Sequence, residues 1–155
     1  MLRETLSANR KTADKDSYMA EKLQLELVTP YKKVLSEQVD MVTASGILGE
    51  FTVLPGHAAF LTSLKIGELV YSKDGTINHL ALNWGYFEVA DDRITILVET
   101  AERADEIDLE RARTALGRAE EALRKLSRED RDFMVYEAAL QRALIRMQVA
   151  SKSKR

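Results

Sequence analysis

Two histidines and four arginines are the residues of this chain whose types and spacing bear on chemistry. His57 follows a Pro-Gly pair in the stretch GEFTVLPGHAAFLTSL (49–64), and His79 lies in a separate segment. Neither stands in a metal-ligand spacing such as H-x-x-x-H, and no glycine-flanked serine elbow is present. A single histidine without an acidic or nucleophilic partner rarely makes a catalytic site. His57 is therefore expected to order a turn, His79 to lie on a strand face, and Ser45 and Ser63 to play no nucleophilic part. A self-contained enzyme using His57 is disfavoured. With no cysteine in the chain, disulfides, thiolate metal centres and thiol catalysis are excluded. No metal site is expected.

The arginines say more. Arg142 and Arg146 are four residues apart, and their i±3 and i±4 neighbours are Ala138, Ala139, Ala143, Ile145, Val149 and Ala150. Like charges at that spacing with no acidic neighbour are mildly destabilising on a helix. Arg111 and Arg118, seven residues apart, share a flank of a preceding helical segment. Closing the two segments together would turn four guanidiniums to one side, which suits a polyphosphate or a carboxylate-rich partner. A solvated basic face is the plainer reading of the same residues.

Two kinds of element must position these groups. From Leu23 the pattern alternates, with Leu23, Leu25 and Leu27 on one face. Short segments of the same kind follow at 39–44, 49–54, 67–72, 77–82, 85–90 and 93–100. Thr29-Pro30, Pro55-Gly56, Lys73-Asp74-Gly75 and Ala90-Asp91-Asp92 punctuate them. Many short strands at this spacing predict an antiparallel sandwich or barrel over 20–103. Beyond Arg103 the period changes. Leu109, Ala112, Leu116, Ala119, Leu123 and Leu126 form a heptad seam, and Phe133, Tyr136, Leu140, Ala143, Met147 and Ala150 form a second. Residues 104–151 are thus expected to be an antiparallel helical hairpin, with Ser127 and Asp130 as a capping box opening its second helix. Glu120–Arg124, Glu121–Lys125 and Asp108–Arg111 are expected charge pairs. Alanine seams bury little surface, so the hairpin should be a mobile appendage resting on its sandwich or a partner. For the Pro55-Gly56-His57 stretch, a buried corner and a docking surface both remain open.

Composition bounds the rest. The 155 residues carry a net charge of −2, which with the lack of aromatic stacking runs argues against a nucleic-acid binder. No run approaches the roughly 18 apolar residues of a membrane helix. Residues 1–19 have neither an apolar signal core nor an acid-poor transit composition, and read as a disordered leader, with Met19 as a second plausible start. Residues 152–155 read as a disordered tail.

GEFTVLPGHAAFLTSLKIGEL (49–69), preceded by LELVTPYKKVLSEQVDMVTA (25–44), closely resembles the epsilon-subunit family of bacterial F-type ATP synthases, whose mitochondrial counterpart is called delta. The resemblance runs from about Lys22 to Ala150. It implies a ten-stranded β-sandwich followed by a two-helix hairpin. It also implies a non-catalytic central-stalk subunit that binds gamma, rests on the c-ring and couples proton flow to rotation. Such a subunit is peripheral to the cytoplasmic face of the inner membrane, and its hairpin can insert towards the catalytic alpha and beta subunits and inhibit ATP hydrolysis. Pro55, Gly56 and His57 become docking surface. Some members bind ATP on the closed hairpin through Ile/Leu-Asp-x-x-Arg-Ala and a later Arg-x-x-x-Arg. Here these are IDLERA (107–112) and RALIR (142–146). The resemblance therefore implies an ATP site of Glu102, Asp108, Arg111, Ala112, Arg118, Arg142 and Arg146. Arg118, Arg142 and Arg146 would be on the phosphates, and Glu102, Asp108 and Arg111 on the base, the ribose or the helix start. ATP would be a regulatory ligand, and no cofactor is required. In the alternative, the hairpin arginines meet acidic residues of the catalytic subunits and no ATP is bound.

Overall fold

The computed structural model describes residues 21–153, so the leader expected at 1–19 and residues 154–155 lie outside it. The strands are β1 (Leu23–Val28), β2 (Lys33–Val39), β3 (Met41–Gly46), β4 (Gly49–Val53), β5 (Phe60–Lys73), β6 (Thr76–Leu82), β7 (Gly85–Ala90), β8 (Arg93–Val98) and β9 (Ala101–Arg103). The helices are α1 (Leu109–Arg124) and α2 (Phe133–Ala150).

The first half of the 14-residue β5, Phe60–Leu64, pairs with β7, and its second half, Gly67–Lys73, pairs with β6. The same strand therefore serves two layers, β2-β1-β8-β7 on one side and β4-β3 with β6-β9 on the other. Taken as its two halves, β5 raises nine strands to the expected ten. A register shift against β3 between Ala44 and Gly46 marks the bend. A Cβ on Gly67 there would lie 2.5 Å from that of Ser45, so the crossing needs glycine. One pairing departs from the expected antiparallel order: β1 and β8 run parallel, from Gln24↔Arg93 to Val28↔Leu97. The chain leaves β1 and returns beside it only after the other layer has been built.

Alternation fills the space between the layers. Leu23, Leu25, Leu27, Phe87, Ile94, Ile96, Leu69 and Leu80 are wholly buried there. Phe87 meets Phe51 edge to face at 4.8 Å. Both β-turns foreseen from Asp74-Gly75 and Asp91-Asp92 form, with φ of 49° and 79° in the first and 50° and 57° in the second.

The two seams meet as foreseen, with Ala112 and Ala119 of α1 and Ala143 of α2 buried between the helices. The hairpin rests on the sandwich through α2, which packs on β5 and β6. Val149, off the seam, is wholly buried on that side. The capping box is corrected. The Ser127 N–H donates to Asp130 Oδ2 at 2.7 Å, but this closes a turn, and α2 starts only at Phe133 without a side-chain cap. The tail expected from residue 152 is also corrected at its start. Residues 151–153 continue α2 as a turn, and Lys152 is anchored to Glu68.

Candidate functional site

Beside the place where the second helix lies on the outer face of β5 and β6, β9 and the following turn face the start of α1. Asp108 caps α1, its Oδ1 accepting the Arg111 backbone N–H at 3.0 Å. The expected Asp108–Arg111 side-chain pair is thus a backbone cap. Arg111, Thr114, Ala115 and Arg118 then succeed one another along one face, at the spacing of helical neighbours. Across from them stand Glu102 of β9 and Arg146 of α2, joined by a hydrogen bond from Arg146 Nε to Glu102 Oε2. Together they line a cavity of about 550 Å³.

Six of the seven residues expected at this site, Glu102, Asp108, Arg111, Ala112, Arg118 and Arg146, line that one cavity. Arg142 does not. It lies one turn back on α2, half-buried beside Asn83, Ile145 and Glu102, and borders a groove with Trp84, Met134 and Val135. The Arg146 environment also differs from the sequence view of an arginine without acidic relief. Its carboxylate comes from 44 residues away, a contact no local spacing reports. Among the described residues, Arg111, Arg118 and Arg142 make no ion pair. Arg111 and Arg118 thus face the cavity without an ion-pair partner, although Glu106 and Asp108 share its lining, and guanidiniums so placed suit an anionic ligand. Of the expected helix pairs, Glu121–Lys125 forms at 3.0 Å and Glu120–Arg124 does not, while Arg113, not foreseen, takes Glu110 at 2.6 Å.

Sequence reasoning missed Glu106, Thr114 and Ala115 in the lining, and named Ile107 only as the first residue of IDLERA. For Thr114 and Ala115 a signal existed, since they stand three and four residues after Arg111. Glu106 and Ile107 belong to the turn before α1, whose path no periodicity defines.

His57 sits in an exposed turn, its N–H donating to the Leu54 carbonyl at 3.1 Å. Gly56, at φ 82°, donates its N–H to Asp92 Oδ1 at 2.7 Å. The stretch is not a buried corner. Leu54 and Leu61 beside it are 54% and 70% exposed, leaving an apolar surface that none of the described residues covers. His79 lies on β6 with its Nδ1 2.7 Å from Glu68 Oε1. Among the described residues, no three His, Asp or Glu side chains converge as a metal site. No described helix is long and apolar enough to cross a membrane.

The family model for the beta-sandwich domain of the ATP synthase delta/epsilon chain matches residues 22–104, and that for its long alpha-helix domain matches 105–151. The chain is similar to the ATP synthase epsilon chain of Geotalea daltonii, 77% identical over 137 residues, or 88% of this chain and 99% of the relative. It is 76% identical to that of Geobacter sulfurreducens over the same shares. In fold it is similar to a chain of the Euglena gracilis mitochondrial ATP synthase OSCP/F1/c-ring structure. That match has a TM-score of 0.73 and 24% identity, covering 90% of this chain and 87% of the other.

Proposed function

The chain belongs to the ATP synthase delta/epsilon chain family, as an epsilon-type subunit of the F-type central stalk, and from that premise we propose that its hairpin is a nucleotide-gated brake. The subunit itself is non-catalytic. Its sandwich docks on gamma and the c-ring at the cytoplasmic face of the membrane, with the exposed Pro55-Gly56-His57 turn and its flanking leucines part of that surface. Closed on the sandwich, the hairpin binds ATP in the cavity between α1, β9 and α2. Released, it extends towards the catalytic subunits and slows ATP hydrolysis.

The observation that carries this reading is the convergence of Glu102, Asp108, Arg111, Ala112, Arg118 and Arg146 on one cavity. Residues from three elements, 44 positions apart at the extremes, come together only when the hairpin is closed. A ligand bridging them therefore favours the closed state. A ligand at a hundred times its Kd adds about 2.7 kcal/mol to the state that binds it. Arg111 and Arg118 supply charge to the phosphates. Arg146 contributes after exchanging its Glu102 partner for phosphate oxygen. Asp108 holds the helix start that aims Arg111.

Calorimetric titration of ATP into the full chain tests this. Saturable binding is expected, weakened at least tenfold in Arg111→Ala/Arg118→Ala and in Arg142→Ala/Arg146→Ala, since each charged hydrogen bond is worth about 1.5–3 kcal/mol. Absence of binding at several millimolar ATP would leave the second reading, in which the hairpin arginines meet carboxylates of the catalytic subunits. The position of Arg142 outside the cavity favours that role for this one residue. Charge reversal at Arg142 should then alter inhibition with no change in nucleotide affinity.

A further inference from the structure

The register of β5 and β6 places Glu68, Val70, His79 and Ala81 on the sheet face that points away from the sandwich core, since the intervening Leu69 and Leu80 are wholly buried inside it. That outer face is the one α2 covers. Glu68 is an unusual residue to find there, because a carboxylate under a helix loses water and must find donors. It finds three, one on β6 and two at the C-terminal end of α2 and the turn that follows it. Oε1 faces His79 Nδ1 of β6 at 2.7 Å and accepts from Lys152 Nζ at 2.8 Å. Oε2 accepts from Lys152 Nζ at 2.7 Å and from Gln148 Nε2 of α2 at 3.3 Å. The Glu68 side chain is only 13% exposed.

Lys152 reaches this position because α2 ends in an ordered turn. The Ser151 N–H donates to the Met147 carbonyl at 3.1 Å, the Lys152 N–H to Val149 at 3.0 Å, and Ser151 Oγ to Gln148 at 2.6 Å. Val149, wholly buried, packs under the same turn. Neither Glu68 nor Lys152 lines the arginine cavity.

We propose that Glu68 is the sandwich half of a clamp, closed by Lys152 and Gln148 and oriented by His79, that holds the C-terminal end of α2 down and so positions Arg146 at its cavity. The clamp acts without nucleotide. Lys152 and Arg146 are six residues apart, about 9 Å along a helix, so fastening one end restricts the other. The Glu102–Arg146 contact is surrendered when a ligand takes the guanidinium, whereas the Glu68 contacts are not in competition with it. Glu68, Lys152 and Gln148 are positioning residues, and the population of closed hairpin, not the cavity's own contacts, depends on them. The effect on nucleotide affinity rests on the ATP reading above, but the clamp itself does not.

Hydrogen exchange of the full chain tests it without ligand. In Glu68→Gln and in Lys152→Ala, amides of 143–150 should exchange about tenfold faster, the loss of one charged multi-donor contact. Strand amides of β1, β7 and β8 should keep their rates and so report an intact sandwich. Lys152→Arg should restore protection. Combining Glu68→Gln with Lys152→Ala should add little to either alone, because both remove one interaction. Unchanged α2 exchange in both single variants, or additive effects in the pair, overturns the clamp. A calorimetric ATP titration of the same proteins separates the two proposals. If wild type binds ATP, the variants' apparent affinity should fall by the same factor as their closed fraction. If wild type binds none, the nucleotide reading fails while the exchange result still decides the clamp.

Discussion

The sandwich and the hairpin solve the problem of burying surface in opposite ways. The sandwich carries its own interior: Leu23, Leu25, Phe87, Ile94 and Ile96 have no exposed area at all, and the rest of the cluster between the layers is buried with them. The hairpin has alanines at its centre. Between its helices only Ala112, Ala119 and Ala143 are buried, and its one wholly buried larger side chain, Val149, is buried against the sandwich. Hydrophobic stabilisation scales with apolar area, so the first region stands alone and the second borrows. What this teaches is where regulation can live. A segment held down by a few side-chain clasps and a small apolar contact can leave its seat without unfolding the rest.

Four substitutions would break or sharpen that contrast, and the largest effect is in the sandwich core. Phe87→Ala removes a wholly buried ring packed on Phe51 and should cost about 3–5 kcal/mol, a large part of a domain's stability. Thermal melting should fall steeply, and exchange protection should be lost in strands and helices together, because the hairpin loses its seat. Protected helices on a melted sandwich would show that the hairpin is the autonomous unit.

Ala143→Leu attacks the other side. Three extra carbons at a buried alanine in the seam should push α1 off α2 at a cost of about 1–3 kcal/mol. Amides of α1 should exchange faster while those of β7 and β8 keep their rates. Simultaneous loss in the strands would mean that the two regions form one cooperative unit.

The smallest effect concerns pH and stays within the sandwich. Lys22 bridges Asp40 and Asp74, tying the start of β1 to the β2–β3 corner and the β5–β6 turn. The hydrogen bonds of Asp40 and then Asp74 hold the Lys22 ammonium above its ordinary pKa of 10.5. The Lys22 hydrogen bond in turn holds the Asp40 carboxyl below its ordinary 3.8. A raised pKa stabilises the fold fully below the unfolded value and fades as pH rises through the folded one. A lowered pKa stabilises above the unfolded value and fades as pH falls through the folded one. The clasp therefore contributes between about pH 3.8 and pH 10.5 and is lost on either side. Lys22→Ala should flatten both arms of the melting temperature against pH. It should leave one alkaline loss in place. Burial, with the nearby Glu37 charge, pushes the Tyr71 phenol above its ordinary 10.0, so its neutral form stabilises the fold up to that pH and less beyond it. Tyr71→Phe should remove that remainder. None of these changes should move exchange in the hairpin.

Much of this was legible in the chain as written. Period 2 up to Arg103 and period 3.5 after it separate the strands from the helices, because each backbone geometry repeats its side chains at its own interval. The turn at Asp74-Gly75 and the alanine seams follow from the same local rules. β2 was harder. In KVLSEQV only Leu35 and Val39 are buried, since an edge strand needs little apolar surface. The first half of β5 was hidden by FLTSL, whose Phe60 and Leu61 remain exposed. The IDLERA and RALIR strings marked most of the candidate site through their resemblance to a family.

Tertiary structure decided what distance along the chain conceals. It made β1 and β8 parallel neighbours and sent β5 through both layers. It left Arg142 outside the cavity that holds Arg111, Arg118 and Arg146, supplied Glu102 to Arg146, and set Glu68 beneath Lys152, 84 residues later. Local sequence determines which face of an element is apolar, because that depends on neighbours three or four positions away. Which carboxylate meets which cation depends on how those faces are stacked, and that is settled only when the apolar faces have closed on one another.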